Sequence, residues 1–160
     1  MDKANGLFCQ VKELCRIAKM WQAPERYVGE QDMPHVVLFI EKTHSKKKSL
    51  VDGFIQETGL KVVRPDDREF PQDFQGWVKH TVVSAMSLFA SNMMGAIALI
   101  EDLDHKLTAA TRQAFGSPLE IFEFEMGVPK ECGLVVVTSH SERPLSALIK
   151  KGCFDYIVRS

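Results

Sequence analysis

Four clusters of polar residues follow apolar runs, and their types suggest chemistry. The first is Lys42-Thr43-His44-Ser45-Lys46-Lys47-Lys48-Ser49, directly after HVVLFIE. Its lysines are point charges that could draw a phosphate. The second is Glu101-Asp102-Leu103-Asp104, after AIALI. The third is Thr138-Ser139-His140, after LVVV, and the fourth is Lys150-Lys151-Gly152-Cys153-Phe154-Asp155. Each has a plain alternative. A lysine run is a solvated loop, an acidic pair caps a helix, and Thr-Ser-His makes a turn. Taken in order, they form a set that needs one scaffold.

The pattern of apolar residues supplies that scaffold. Residues 7–20 have helical spacing, with Leu7, Val11, Leu14, Cys15 and Ile17 on one face. His35 to Ile40 is apolar without alternation, which predicts a strand buried on both faces. Ser49 to Thr58 reads as a helix with Gly59 as its stop. Leu60 to Val63 is a short strand, 65–76 a loop, and Val78 to Met94 a longer helix. Ala96–Ile100, Gly133–Val137 and Phe154–Val158 are further strands, and Ser117–Gly127 is expected to be helical. Strand and helix alternate, so the fold class is α/β: a three-layer parallel sheet of about five strands flanked by helices. Ligands in such sheets sit at the carboxyl ends of the strands, where the four clusters fall.

The bulk numbers narrow the function classes. At 160 residues, 45% hydrophobic and 26% charged, the chain is one soluble domain's worth. A formal net charge of −1 gives no reason to expect nucleic acid. Cys9, Cys15, Cys132 and Cys153 form no CxxC pair, so no structural metal is expected and they read as reduced thiols of an intracellular protein. There is no run of membrane-spanning length and no signal peptide. His44, His80, His105 and His140 are scattered and receive no catalytic role. Trp21 is expected to pack the leading segment, and Met93-Met94 to lie in the core.

The ordered set resembles the AAA family of ring-forming ATPases. Lys42 to Ser49 fill the eight positions of a GxxxxGK[ST] phosphate loop, with Lys48 and Ser49 at its last two. AIALIEDLD resembles the family's second box, four apolar residues and an acidic pair. LVVVTSHSERPLSALIKKGCFDYIV resembles its late segment, matching at Thr138, Ala147, Leu148, Gly152, Phe154 and Asp155. VKELCRIAKMWQAPERYVGEQDMPHVVLFIEK resembles its leading segment, loosely closest to that of the membrane-anchored AAA proteases.

The resemblance implies ATP and Mg²⁺ as cofactors. Lys48 would meet the β/γ-phosphates, and Ser49 and Glu101 would hold the metal and its water shell. Asp102 would polarise the attacking water, and Ser139 would stand at the γ-phosphate sensor. Lys150 and Cys153 would occupy the finger positions that reach a neighbouring subunit, and Phe74 or Trp77 the aromatic pore loop. Protein partners, among them related AAA subunits in a ring, follow from the same likeness. The divisions it implies are 1–34 as N-terminal helix and leading segment and 35–160 as a degenerate core, with no lid and no protease domain.

The departures bear on the chemistry. Lysine stands at both glycine positions, Lys42 and Lys47, where the loop needs φ > 0 and close backbone approach. Each costs roughly 1 kcal/mol or more if the loop keeps its shape. The acids Glu101-Asp102 are in exchanged order, and misplacement by ~1 Å can cost ~100-fold in rate. Loss of a trans arginine removes ~10³–10⁵ in related phosphoryl transfers. With sensor and fingers also altered, the expectation is a pseudo-ATPase serving as an interaction or assembly subunit, with weak nucleotide binding and weak or no hydrolysis. The alternatives are an active ATP-hydrolysing remodelling subunit and an unrelated parallel α/β phosphotransferase-like domain.

Overall fold

A computed structural model describes residues 3–23, 33–41, 44–70, 72–92, 96–113, 117–127 and 133–159. The elements run α1 (Lys3–Gln22), β1 (Val36–Ile40), α2 (His44–Thr58), β2 (Lys61–Val63), α3 (Phe74–Asn92), β3 (Ala96–Ile100), α4 (Leu103–Gln113), α5 (Pro118–Glu125), β4 (Leu134–Ser139), α6 (Ser146–Lys150) and β5 (Tyr156–Arg159). The five strands form one sheet in the order β2-β3-β4-β1-β5, and every pairing is parallel.

Strand alternation divides the core into two layers. On one face Val36, Leu38 and Ile40 of β1 join Ala96, Ala98 and Ile100 of β3 and Val135 and Val137 of β4. Helices α3, α4, α5 and α6 cover this face through Trp77, Leu107, Phe122 and Leu148. On the other, Val37, Phe39, Ile97, Leu99, Leu134 and Val136 meet Ile17 and Trp21 of α1 and Val51 and Phe54 of α2. Strands β1, β3 and β4 are buried throughout, as their unbroken apolar runs require.

This arrangement defines a switch point. The chain leaves β1 through α2 on one face and leaves the adjacent β4 through α6 on the other. The crevice of an open α/β sheet lies where such connections part, at the carboxyl ends of these two strands.

Several boundaries differ from the sequence expectation. Helix α2 starts at His44 rather than Ser49, because HSKKKS holds no glycine or proline to interrupt its turns. Helix α3 starts at Phe74 rather than Val78. Asp73 caps it: the Asp73 carboxylate accepts from Gly76 N at 2.9 Å and its carbonyl from Trp77 N at 2.9 Å. Helices α4 and α6 lie where no helix was expected from the sequence. In α4, Leu103, Leu107 and Ala110 are all buried, a helical spacing that could have been read. Helix α5 forms as expected, with Ser117 Oγ accepting from Glu120 N and Pro118 at its first turn. Gly59, at φ +70°, ends α2 in the left-handed region, as its place after the helix predicts.

The amino end of the sheet is held by few groups. Asp155 Oδ2 accepts from His35 N at 2.7 Å and Val36 N at 3.0 Å, tying β5's approach to β1. Trp21 Nε1 donates to Pro34 O at 2.9 Å, and its ring meets His35 edge-on, so α1 packs this corner as expected. Cys132 and Met93-Met94 lie outside the described residues.

Candidate functional site at the carboxyl edge of the sheet

The site is built where strands β1, β3 and β4 end. The ladder between β1 and β4 runs one bond past the strand, Glu41 N donating to Ser139 O at 3.0 Å. Strand β3 ends in Ile100, and Glu101-Asp102 turns the chain into α4. Asp102 makes that turn with φ +56°, left-handed for a residue other than glycine. Aspartate tolerates this conformation better than most residues, at a cost on the order of 1 kcal/mol.

Asp102 is tied at three points. Its N–H donates to Thr138 Oγ1 at 3.0 Å. Its Oδ1 lies 3.1 Å from His140 Nε2. Its carbonyl accepts the first helical bond of α4, from Lys106 N at 3.0 Å. Asp104, in the first turn of α4, takes the other side of the same loop. Its Oδ2 accepts from His140 N at 3.2 Å, Ser141 N at 3.1 Å and Ser141 Oγ at 3.3 Å. The Ser139 side chain is wholly buried and donates to Ser141 O at 2.7 Å. His105 and His140 stand with ring centroids 5.1 Å apart.

The Asp104 carboxyl is held below its ordinary range. Its burial pushes it up, but the N–H groups of Ser141, His105 and His140 and the charge of His105 together outweigh this. A depressed folded pKa means that the carboxylate contributes stability above its unfolded pKa, near 3.9, and loses it as pH falls through the folded value. Asp104→Asn keeps the acceptor and removes the charge. We expect it to cost about 1 kcal/mol at neutral pH and to flatten the fall in stability below about pH 4. Urea unfolding across that range checks both, and a wild-type slope retained in Asp104→Asn would contradict it.

Of the residues picked out by sequence, Glu101, Asp102 and Ser139 come to one edge of the sheet. Glu101 is exposed and lies 3.3 Å from Arg64 Nε, at the end of β2. The side chains of Lys42, Thr43, His44, Ser45, Lys46, Lys47, Lys48 and Ser49 lie outside the described residues; His44 to Ser49 fall within α2. Two expected roles meet a different environment. Phe74 and Trp77 are 1% and 2% exposed and stack on one another beside Phe70, in the core beneath α3. A side chain so enclosed offers no surface to a threaded polypeptide. The signal lay in the sequence: Phe74, Trp77 and Val78 recur at helical spacing, an inward stripe rather than a loop tip. Cys153 is likewise buried, while Lys150 is exposed at the end of α6. Cys9 and Cys15 are free and exposed.

Glu41, Arg64, Asp104 and His140 were not assigned roles from the sequence. Glu41 is the most unexpected, a wholly buried acid at the end of the first strand. An acidic residue closing a six-residue apolar run was the available signal.

Mg²⁺ is usually bound through one or two carboxylates together with substrate phosphates. Here Asp102 is engaged by His140 and Glu101 lies against Arg64. Among the described residues no group of three or more His, Cys, Asp and Glu side chains is placed to hold a metal ion. The side chain of Ser49, the other residue expected at the metal, lies outside the described residues.

No protein-family model matches the chain, and no curated protein matches it. Solved structures do. The FIGL-1 AAA domain in complex with ADP superposes with a TM-score of 0.61 at 15% identity, covering 92% of this chain and 50% of that one. PCH-2 of C. elegans superposes with a TM-score of 0.59 at 12% identity, covering 99% of this chain and 44% of that one. The chain spans about half the length of the solved structures it matches. With the parallel order β2-β3-β4-β1-β5, these matches define the class: an α/β P-loop NTPase-type fold, the fold of an AAA domain.

Proposed function

We propose that the chain is a degenerate member of the AAA family, a pseudo-ATPase domain that serves as an interaction or assembly subunit. The observation that carries this is the engagement of Asp102. The residue at the position of the catalytic acid is a left-handed turn residue, bonded through its N–H to Thr138 and set against His140 through its carboxylate. To act on a water, the Asp102 carboxylate would have to leave His140. Ser139, at the sensor position, donates to Ser141 O, and Glu101 faces Arg64. Each of these three groups, Asp102, Ser139 and Glu101, has an internal partner. Related AAA subunits are the partners this reading favours, met through the old ring faces. The net charge of −1 gives no support to nucleic acid as a partner, and no described helix is long and apolar enough to cross a membrane.

The second reading is an active ATP-hydrolysing subunit. The likeness to an ADP-bound AAA domain favours nucleotide binding. Thermal shift separates the two. A site with a millimolar Kd gains only RT ln 2, about 0.4 kcal/mol, at about 1 mM ligand, so Mg·ATP should raise the Tm by no more than about 2 °C. A saturable rise of more than about 5 °C, lost in Lys48→Ala, would overturn the proposal in favour of the active reading.

A further inference from the structure

Strand β5 closes the sheet order, so one of its edges faces no other strand among the described residues. Which residues present their backbone to that edge can be read from β1. His35 O accepts from Val135 N and Glu41 N donates to Ser139 O, so the odd-numbered residues of β1 face β4. Val36, Leu38 and Ile40 therefore face β5, and Val36 O accepts from Asp155 N at 2.8 Å. In a parallel ladder a residue bonds to those on either side of its partner. The partner of Leu38 is Ile157, so Tyr156 and Val158 turn towards β1 while Ile157 and Arg159 turn to the open edge. A side-chain contact agrees with this. Arg159 N donates to Gln10 Oε1 at 2.6 Å, and Arg159 O accepts from Gln10 Nε2 at 2.9 Å. The Gln10 carboxamide, on α1, thus fills the place that a peptide group of a further strand would take.

The sequence of this edge is complementary to itself. Laid antiparallel against a second copy and centred on Ile157, DYIVR sets Tyr156 opposite Val158, Arg159 opposite Asp155 and Ile157 opposite itself. An aromatic and a β-branched side chain make a favourable cross-strand pair, and no like charges meet. The Arg159 guanidinium meets Glu142 of its own chain and the Asp155 carboxylate holds β1, so their mutual attraction sets register more than strength. Ile157 of each copy would donate to and accept from the other across a two-fold axis. Tyr156 and Val158 belong to the layer under α1 and α2 and Ile157 to the opposite layer, so both layers would run on into the second copy. We propose that the outer edge of β5 is a pairing surface for a second copy of this chain, and that Gln10 holds it shut in the free chain. Paired strands lie about 4.8 Å apart, and the Gln10 carboxamide stands in that space beside Arg159, so the closed and paired states exclude one another. Gln10 precedes the residues that bury α1, Leu14, Ile17, Ala18 and Trp21, so it can withdraw while they stay packed. No residue of the carboxyl-edge site takes part.

The test is sedimentation equilibrium of the full chain, with wild type, Gln10→Ala and Gln10→Ala/Ile157→Pro, each checked for folding by circular dichroism. Proline removes the outward N–H of Ile157 and leaves the ladder to β1 its donors. Wild type is expected to be monomeric at concentrations where Gln10→Ala is dimeric. Self-association should be at least ~10-fold tighter in Gln10→Ala and reversed by Ile157→Pro. Should the proline variant fail to fold, Ile157→Cys gives an independent reading. Facing residues of a bonded antiparallel pair have Cα atoms about 5.5 Å apart, within disulfide reach. Mild oxidation should then cross-link Gln10→Ala/Ile157→Cys into dimers that Gln10→Ala, with the native cysteines alone, does not form. A folded Gln10→Ala that stays monomeric would overturn the proposal. So would a dimer that Ile157→Pro leaves intact and Ile157→Cys does not trap, or a wild-type dimer as tight as that of Gln10→Ala.

Discussion

Trp77→Ala lowers the unfolding free energy by about 3–5 kcal/mol, the largest single loss expected in the domain. Trp77 is 2% exposed. Its ring stacks on Phe74 with centroids 5.9 Å apart and meets Phe70 at 5.2 Å. Lys106 Nζ lies 4.6 Å from the Phe70 centroid and 5.5 Å from that of Trp77, a cation–π contact that joins α4 to this cluster. Truncation removes the apolar contact area, leaves a cavity that its two aromatic neighbours, Phe70 and Phe74, cannot collapse into, and takes away one of the two rings beneath Lys106. Trp77→Phe should recover more than half of the loss. Urea unfolding measures it. If Trp77→Ala keeps the wild-type midpoint, the side chain is not in the core and a role on an exposed loop is restored.

Asp155→Ala should cost about 2–4 kcal/mol, more than its exposed position would suggest. Its Oδ2 accepts two backbone N–H groups, from His35 and Val36, which are 6% and 0% exposed. Alanine leaves both donors buried without an acceptor, and that desolvation cost exceeds the value of the bonds themselves. Asp155 N also donates to Val36 O at 2.8 Å, so the same turn sets the register of β5 against β1. Asp155→Asn keeps an acceptor and should lose less than half as much. Equal losses in both variants would mean that the bonds to β1 are not what the side chain contributes.

The strands were legible in sequence because each is buried on both faces and so shows an unbroken apolar run, as in Val36–Ile40 and Ala96–Ile100. Gly59 and Ser117 were legible because caps have local chemistry. The convergence of Glu101, Asp102 and Ser139 followed from the rule that parallel strands bring their carboxyl ends together. What escaped depended on tertiary pairing. Nothing local shows that Asp102 adopts a left-handed turn or that His140 comes to it across 38 positions of sequence. The burial of Phe74 follows from Asp73 capping α3 earlier than the residues around Val78 suggest. Glu41 contradicts the pattern of its own strand, and its burial comes from tertiary packing that no local pattern shows.

The central claim is that the polar groups at the carboxyl edge of the sheet have been turned from catalysis to internal structure. Steady-state ATP hydrolysis by the purified chain, with wild type, Lys48→Ala and Asp102→Asn side by side, tests it most directly. No turnover above buffer is expected in any of the three, with Asp102→Asn differing from wild type only in stability. Saturable hydrolysis by wild type that both substitutions abolish would contradict it.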